Sequence, residues 1–295
     1  MVIYTQIVGI LWKIGVAWVV IWTLAGVFPI PIPPVFNLFS MLGLFVIVDI
    51  TFWQAMGQMA GNFWVKIKYG AQLPSDENYV CQVDYILPFE GKWTVFNGGV
   101  GKGLSHAWGI IPQRYAYDFI IMDDNGKSFS GDNTKLESYY CYGKAVLSPA
   151  DGVVVKVSNK HRNSRVNGEK AYCDTWDIRG NFMVIKHAEK ECSLFAHLMP
   201  GSITLRKGDK VKQGDVIAKC GNSGNTSEPH LHYQLQSGKS FYASAGLPVS
   251  FVNINAQEKK NYGMADPRSA QKEVMMTREG TKVYIGRGLE VGNGN

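Results

Sequence analysis

The sequence predicts an all-β domain, built as an antiparallel sheet, behind a two-helix transmembrane hairpin. Three observations carry that expectation. From about Val80 onward the apolar runs are short, β-branched and separated by turn residues. Residues 1–57 hold only Lys13 and Asp49 as charged side chains. Within the β-type region, Glu228 to Leu235 alternates apolar and polar residues around two histidines, His230 and His232.

The hairpin comes first in the chain. Ile14 to Ile32 has no charge, and Val35 to Trp53 has only Asp49. Each run approaches the roughly 20 apolar residues that span a bilayer as helix. Between them, Pro29, Pro31, Pro33 and Pro34 cannot continue a helix. Trp12, Trp18, Trp22, Trp53 and Trp64 fall partly near the expected interfaces. A cleaved signal peptide fits less well, because no positive side chain precedes Lys13. A buried soluble hairpin would show a polar stripe. The reading makes a membrane lipid bilayer a partner. Lys13, Lys66 and Lys68 alone would put the flanking parts in the cytoplasm.

Residues 58–80 read as a linker, 81–253 as the β domain and 254–295 as a charged, Gly-rich tail without a functional reading. In the domain, Val153 to Val157, Phe182 to His187 and Val216 to Cys220 are strand-like runs. Turn signals such as Pro149 to Gly152 and Lys207 to Asp209 separate them. The polar stretch 159–180 reads as an inserted surface loop. In the tail, Lys282 to Ile285 is one possible strand.

The chain has 295 residues and a net charge of +6, all of it beyond residue 57. A basic domain favours anionic surroundings such as cell wall, phosphate polymers or nucleic acid. No nucleic-acid motif and no basic helix with interleaved aromatics is present, so nucleic acid is not expected as a partner. None of the five cysteines pairs as Cys-x-x-Cys, which disfavours a zinc ribbon or a thioredoxin-type redox site. Gly221 to Asn225 lacks the Gly-Lys-Ser/Thr ending of a phosphate loop.

On a strand, side chains at i and i+2 share a face. His230 and His232 therefore project side by side, with Leu231 and Tyr233 opposite. An isolated His-x-His reads equally well as two partly buried histidines on a polar sheet face. The other histidines shift that reading, because His106 and His197 lie in segments that can converge on the same face.

The region 143–235 resembles the lysostaphin-type zinc endopeptidases, peptidase family M23 (LytM-like). The resemblance rests on an ordered series: Ser148-Pro149-Ala150-Asp151-Gly152, Gly180-Asn181 through His187, Phe195-Ala196-His197-Leu198, Lys207 through Ala218, and Cys220 through His232. It extends upstream to Gln113-Arg114-Tyr115-Ala116-Tyr117-Asp118, a variant of the first metal motif. It covers neither the hairpin nor the tail. The resemblance implies a zinc site with His232 and Asp118 as ligands. It also implies that His197 is the general base and that His230 polarises water or stabilises the oxyanion. Catalytic zinc takes three protein ligands and leaves a fourth position open. The family pattern His-x-x-x-Asp is broken here, because Arg114 stands four before Asp118 and arginine cannot ligate. His106 is the upstream histidine that can complete the set if its loop folds back. Without it the site is incomplete.

Three functions follow. The first is a membrane-anchored zinc endopeptidase cutting cross-bridge or stem peptides of peptidoglycan, with its domain on the extracytoplasmic side. The second is an inactive scaffold of the same fold that binds cell wall or a partner protein. The third is a lipoyl-type carrier, which lacks an exposed lysine at a hairpin tip.

Overall fold

The computed structural model describes residues 50–166, 176–266, 276–279 and 282–294. The chain divides into two compact units, Met1–Gly57 and Gln58–Asn295. Helix α1 (Ile50–Tyr69) begins in the first and ends in the second.

Among the described residues, no helix is long and apolar enough to cross a membrane. The expected two-helix transmembrane hairpin over 1–57 is corrected by that finding. Its last residues, 50–57, open α1 instead. This helix has 20 residues, but Gln54, Gln58, Asn62 and Lys66 recur every fourth position. They put a polar stripe along it, the mark of a helix with two unlike faces. The rest of the expected hairpin, residues 1–49, lies outside the described residues.

The second unit is mostly sheet. Its strands are β1 (Trp93–Asn97), β2 (Tyr117–Ile120), β3 (Ala145–Leu147), β4 (Gly152–Ser158), β5 (Asn181–Ala188), β6 (Glu191–Leu198) and β7 (Lys210–Val211). They continue with β8 (Val216–Lys219), β9 (Leu231–Gln236), β10 (Gly246–Leu247), β11 (Ile254–Glu258), β12 (Met276–Glu279), β13 (Lys282–Ile285) and β14 (Leu289–Asn293). The main sheet runs β11-β14-β1-β2-β9-β6-β5-β4-β7, with β10 beside β9. Each pairing in it is antiparallel.

The alternation read from the sequence sets the faces of β9. Leu231, Tyr233 and Leu235 enter the main core with Phe195, Tyr117, Trp93 and Phe251. His232, Gln234 and Gln236 take the other face and are also buried. Residues 254–295 are more than a tail. Strand β14 lies between β11 and β1, with Trp93 opposite Val291. Leu289 and Val291 are buried, which is why this strand joins the sheet.

One buried carboxylate ties the entry of the domain to the sheet. Glu191, at the start of β6, is fully buried and accepts hydrogen bonds from Tyr79 Oη, from Tyr85 Oη at 2.7 Å and from the Gln82 amide at 2.6 Å. Three donors replace the water that the carboxylate loses.

Candidate active site

Three neighbouring strands set the centre of the site. Asp118 on β2 faces His232 on β9 in register, and Asn97 on β1 from the other side. A bulge between Val95 and Asn97 shifts the β1 register and brings Asn97 opposite Asp118. His232 Nδ1 lies 3.0 Å from Asp118 Oδ1, and Asn97 Nδ2 donates to Asp118 Oδ2 at 3.0 Å.

The tautomer of His232 follows from its partners. Gln234 Nε2 donates to Pro112 O and to Gln236 Oε1. Its Oε1 is thus left to accept, and it receives His232 Nε2–H at 3.2 Å. A neutral His232 then carries its lone pair on Nδ1, facing a carboxylate oxygen. Two acceptors facing each other call for a proton or a cation between them.

His106 completes the cluster. Its Nδ1 is 3.4 Å from Asp118 Oδ2. One ligand atom each from His106, Asp118 and His232 lie within 4.8 Å of one another. Ligand atoms around a tetrahedral zinc lie roughly 3.3 Å apart, so this donor set fits such an ion. Burial works to raise the Asp118 carboxyl, but the imidazoles of His106, His232 and His230 hold it well below the usual carboxylate range.

The loop that carries His106 is closed by the residue that breaks the motif. Arg114 Nε donates to Trp108 O at 3.2 Å, and its guanidinium lies 4.9 Å from the Trp108 ring centre. Ser105 Oγ donates to Arg114 O at 2.8 Å and accepts from the Ala107 amide. From outside, Asn62 of α1 donates its Nδ2–H to Gly109 O at 2.9 Å and accepts Ile111 N–H at 2.7 Å. Gly61 makes that approach possible, because a Cβ there would sit 1.8 Å from Tyr242 O.

His197 reaches the same face by a backbone device. Ala196 is the register partner of His232 on β9, so simple alternation would turn His197 into the core. Its φ of +60° turns the side chain back. Such a conformation is uncommon for a non-glycine residue. Arg179 O accepts its amide at 2.9 Å, and Ser223 O accepts Nδ1–H at 2.8 Å. The Nε2 lone pair is left as a base. Burial, then the neighbouring His230 and His232, hold the His197 imidazole well below its usual pKa, so it is neutral.

His230 is built alike. Its Nδ1–H donates to Glu228 O at 2.9 Å, and Nε2 lies 3.6 Å from Asp118 Oδ1. The His197 and His230 ring centres are 4.6 Å apart. These groups line a cleft of about 430 Å³, together with Gln58, Arg179, Asn225 and Phe241. The structure therefore brings His106, Asp118, His197, His230 and His232 to one cleft. Asn62, Asn97, Gln234 and Arg179 were not singled out from the sequence. Of these only Gln234 carried a signal, its i+2 spacing from His232.

Residues 136–243 match the family model described as Peptidase family M23. The match takes in His197, His230 and His232, and leaves His106 and Asp118 upstream. The peptidoglycan DD-endopeptidase ShyA of Vibrio cholerae is 33% identical over 113 residues, 38% of this chain and 20% of its own length. An uncharacterised metalloprotease of Buchnera aphidicola is 39% identical over 122 residues, 41% of this chain and 28% of its own length. The chain thus spans well under a third of these relatives. The catalytic domain of lysostaphin from Staphylococcus simulans is 19% identical, covers 53% of this chain and 88% of its own, and superposes with a TM-score of 0.30. A likeness that loose bears on neither site nor substrate. Residues 136–243 are thus similar to peptidase family M23, and the relatives they match include a named peptidoglycan endopeptidase and a metalloprotease.

Proposed function

We propose that this chain is a zinc-dependent endopeptidase that hydrolyses peptide bonds of bacterial peptidoglycan, in the cross-bridge or the stem peptide. The observation that carries the reading is the convergence of His232 Nδ1, Asp118 and His106 Nδ1 in a cleft that also holds two further imidazoles. His106, Asp118 and His232 would hold the ion. Bound zinc would polarise the scissile carbonyl and lower the pKa of water at the site.

The chain's own residues do the proton work. His197 Nε2 takes the proton of the attacking water as its oxygen bonds to the carbonyl carbon. The same nitrogen then delivers that proton to the amine as the peptide C–N bond breaks. His230 Nδ1 is committed to Glu228 O, so its ring donates from Nε2 only as imidazolium. In that form it stabilises the tetrahedral oxyanion.

The substrate class is supported by the name of ShyA, by the net charge of +6 and by the cleft's capacity for a peptide. The same reading puts the domain on the extracytoplasmic side of the bacterial cell membrane, where peptidoglycan lies.

The test is incubation of the full chain, loaded with zinc, on purified peptidoglycan. Soluble fragments ending at a cut peptide bond are expected, lost with a chelator and restored by zinc. Full zinc occupancy with no fragments would replace this reading by the scaffold one.

A further inference from the structure

Helix α1 has a second face that the domain does not use. At 3.6 residues per turn, Met59, Ala60, Phe63, Trp64 and Ile67 fall on one side, opposite Gln58, Asn62 and Val65. Met59, Phe63, Trp64 and Ile67 are 63%, 68%, 56% and 61% exposed. The opposite side is committed. Val65 is fully buried with Ile111 and Ala245, Asn62 clasps the His106 loop, and Gly61 packs tightly against Tyr242. The helix therefore cannot rotate to bury its apolar side, and the cover has to come from outside the domain.

We propose that this face lies on an anionic phospholipid surface, with α1 parallel to the membrane plane. Three observations choose lipid over a protein partner. Lys66 and Lys68 stand one on each margin of the apolar side, where their stems can snorkel and their ammonium groups meet lipid phosphates. The face includes an indole, Trp64, whose apolar body and N–H suit the headgroup boundary. The chain leading into the helix, residues 14–48, holds no charged side chain at all. Patches of this kind on soluble surfaces mark interaction sites, and lysine-flanked helical ones fit interfacial binding. The proposal is independent of the metal reading. If it holds, the wall of the cleft formed by Gln58 sits about one helix diameter, ~10 Å, from the headgroups. The enzyme would then work on substrate close to the membrane.

The experiment uses the full chain with Phe63→benzoylphenylalanine or Ile67→benzoylphenylalanine, bound to vesicles of phosphatidylglycerol and phosphatidylethanolamine. Val216→benzoylphenylalanine, at a 62% exposed site on the domain, is the control. After irradiation, mass spectrometry identifies what each position captured. Lipid adducts are expected at 63 and 67 and not at 216. Sedimentation alone would not decide, because the uncharged stretch upstream of α1 could itself carry the chain down. Adducts to a second copy at 63 or 67, no lipid adduct there, lipid adducts equally strong at 216, or no vesicle binding would each overturn the proposal.

Discussion

Asp118 and His232 are register partners on adjacent antiparallel strands, and His232 Nδ1 meets Asp118 Oδ1 at 3.0 Å. Asn97 and Gln234 hold the two from either side, so His232 Nδ1 and Asp118 Oδ1 stay aimed at each other. His232→Ala or Asp118→Ala should therefore reduce zinc from about one per chain to none detectable. Gln234→Ala keeps both ligands but frees the imidazole, and should weaken zinc by about 10–100-fold. Atomic absorption and competitive chelator titration read both effects. A His232→Ala chain that keeps full zinc would remove it from the ligand set.

The His106 loop is clasped twice, by Arg114 from within and by Asn62 from α1. Arg114→Ala loses the hydrogen bond to Trp108 O and the stacking on its ring. Asn62→Ala leaves Gly109 O and Ile111 N–H without their partner. Each should weaken zinc about 10–100-fold, with His232 and Asp118 still in place. The double variant should approach the affinity of His106→Ala. If Asn62→Ala lowered thermal stability while zinc affinity stayed at the native value, its role would be structural only.

His197 is not among the converging ligand atoms, so His197→Ala should bind zinc normally. Its turnover should fall by about 10²–10⁴ with the loss of the base. His197→Asn is the control for backbone strain, because asparagine tolerates the φ of +60° at this position. The two variants should be equally slow if the imidazole, rather than the conformation, is what matters. Native turnover in either would end its assignment as base.

The parts of the fold that follow from side-chain period were legible in the sequence. The alternation through Leu231, His232, Tyr233 and Gln234 fixed which residues face the core and which face the cleft. His197 was placed by its motif, whereas alternation alone would have buried it on the wrong side. Its turned backbone has no signature in residue types. The His106 loop depends on tertiary clasps from Asn62, distant in sequence, and on Arg114, which reads only as a broken motif. Asn97 depends on a bulge that shifts register by one residue. Helix α1 is split in the sequence reading, with 50–57 assigned to the hairpin and 58–69 to the linker, because the apolar run is followed only as far as Trp53. Its polar positions 54, 58, 62 and 66 keep one helical period across that assumed boundary, and this was the missed clue. Strand β14 escaped because it is short and far in sequence from its partner β1.

His187 offers a test of stability away from the metal centre. Its Nδ1–H donates to Asp151 O at 2.8 Å, Nε2 meets Ser193 Oγ at 2.9 Å, and the ring packs edge-on against Tyr85. Burial holds its pKa below the ordinary 6.5 despite the favourable carbonyl contact. Below about pH 6.5 the unfolded chain takes up a proton at this residue that the native chain refuses until the pH reaches its depressed value. The unfolded state then binds more protons, so stability falls as pH falls across that window. For one proton the slope is at most about 1.4 kcal/mol per pH unit. His187→Gln keeps a polar side chain and removes the titration. Urea midpoints at several pH values between neutrality and pH 5 should fall less steeply for the variant than for the native chain. Equal slopes would mean that the acid sensitivity comes from other histidines and that the pocket of His187 admits the imidazolium.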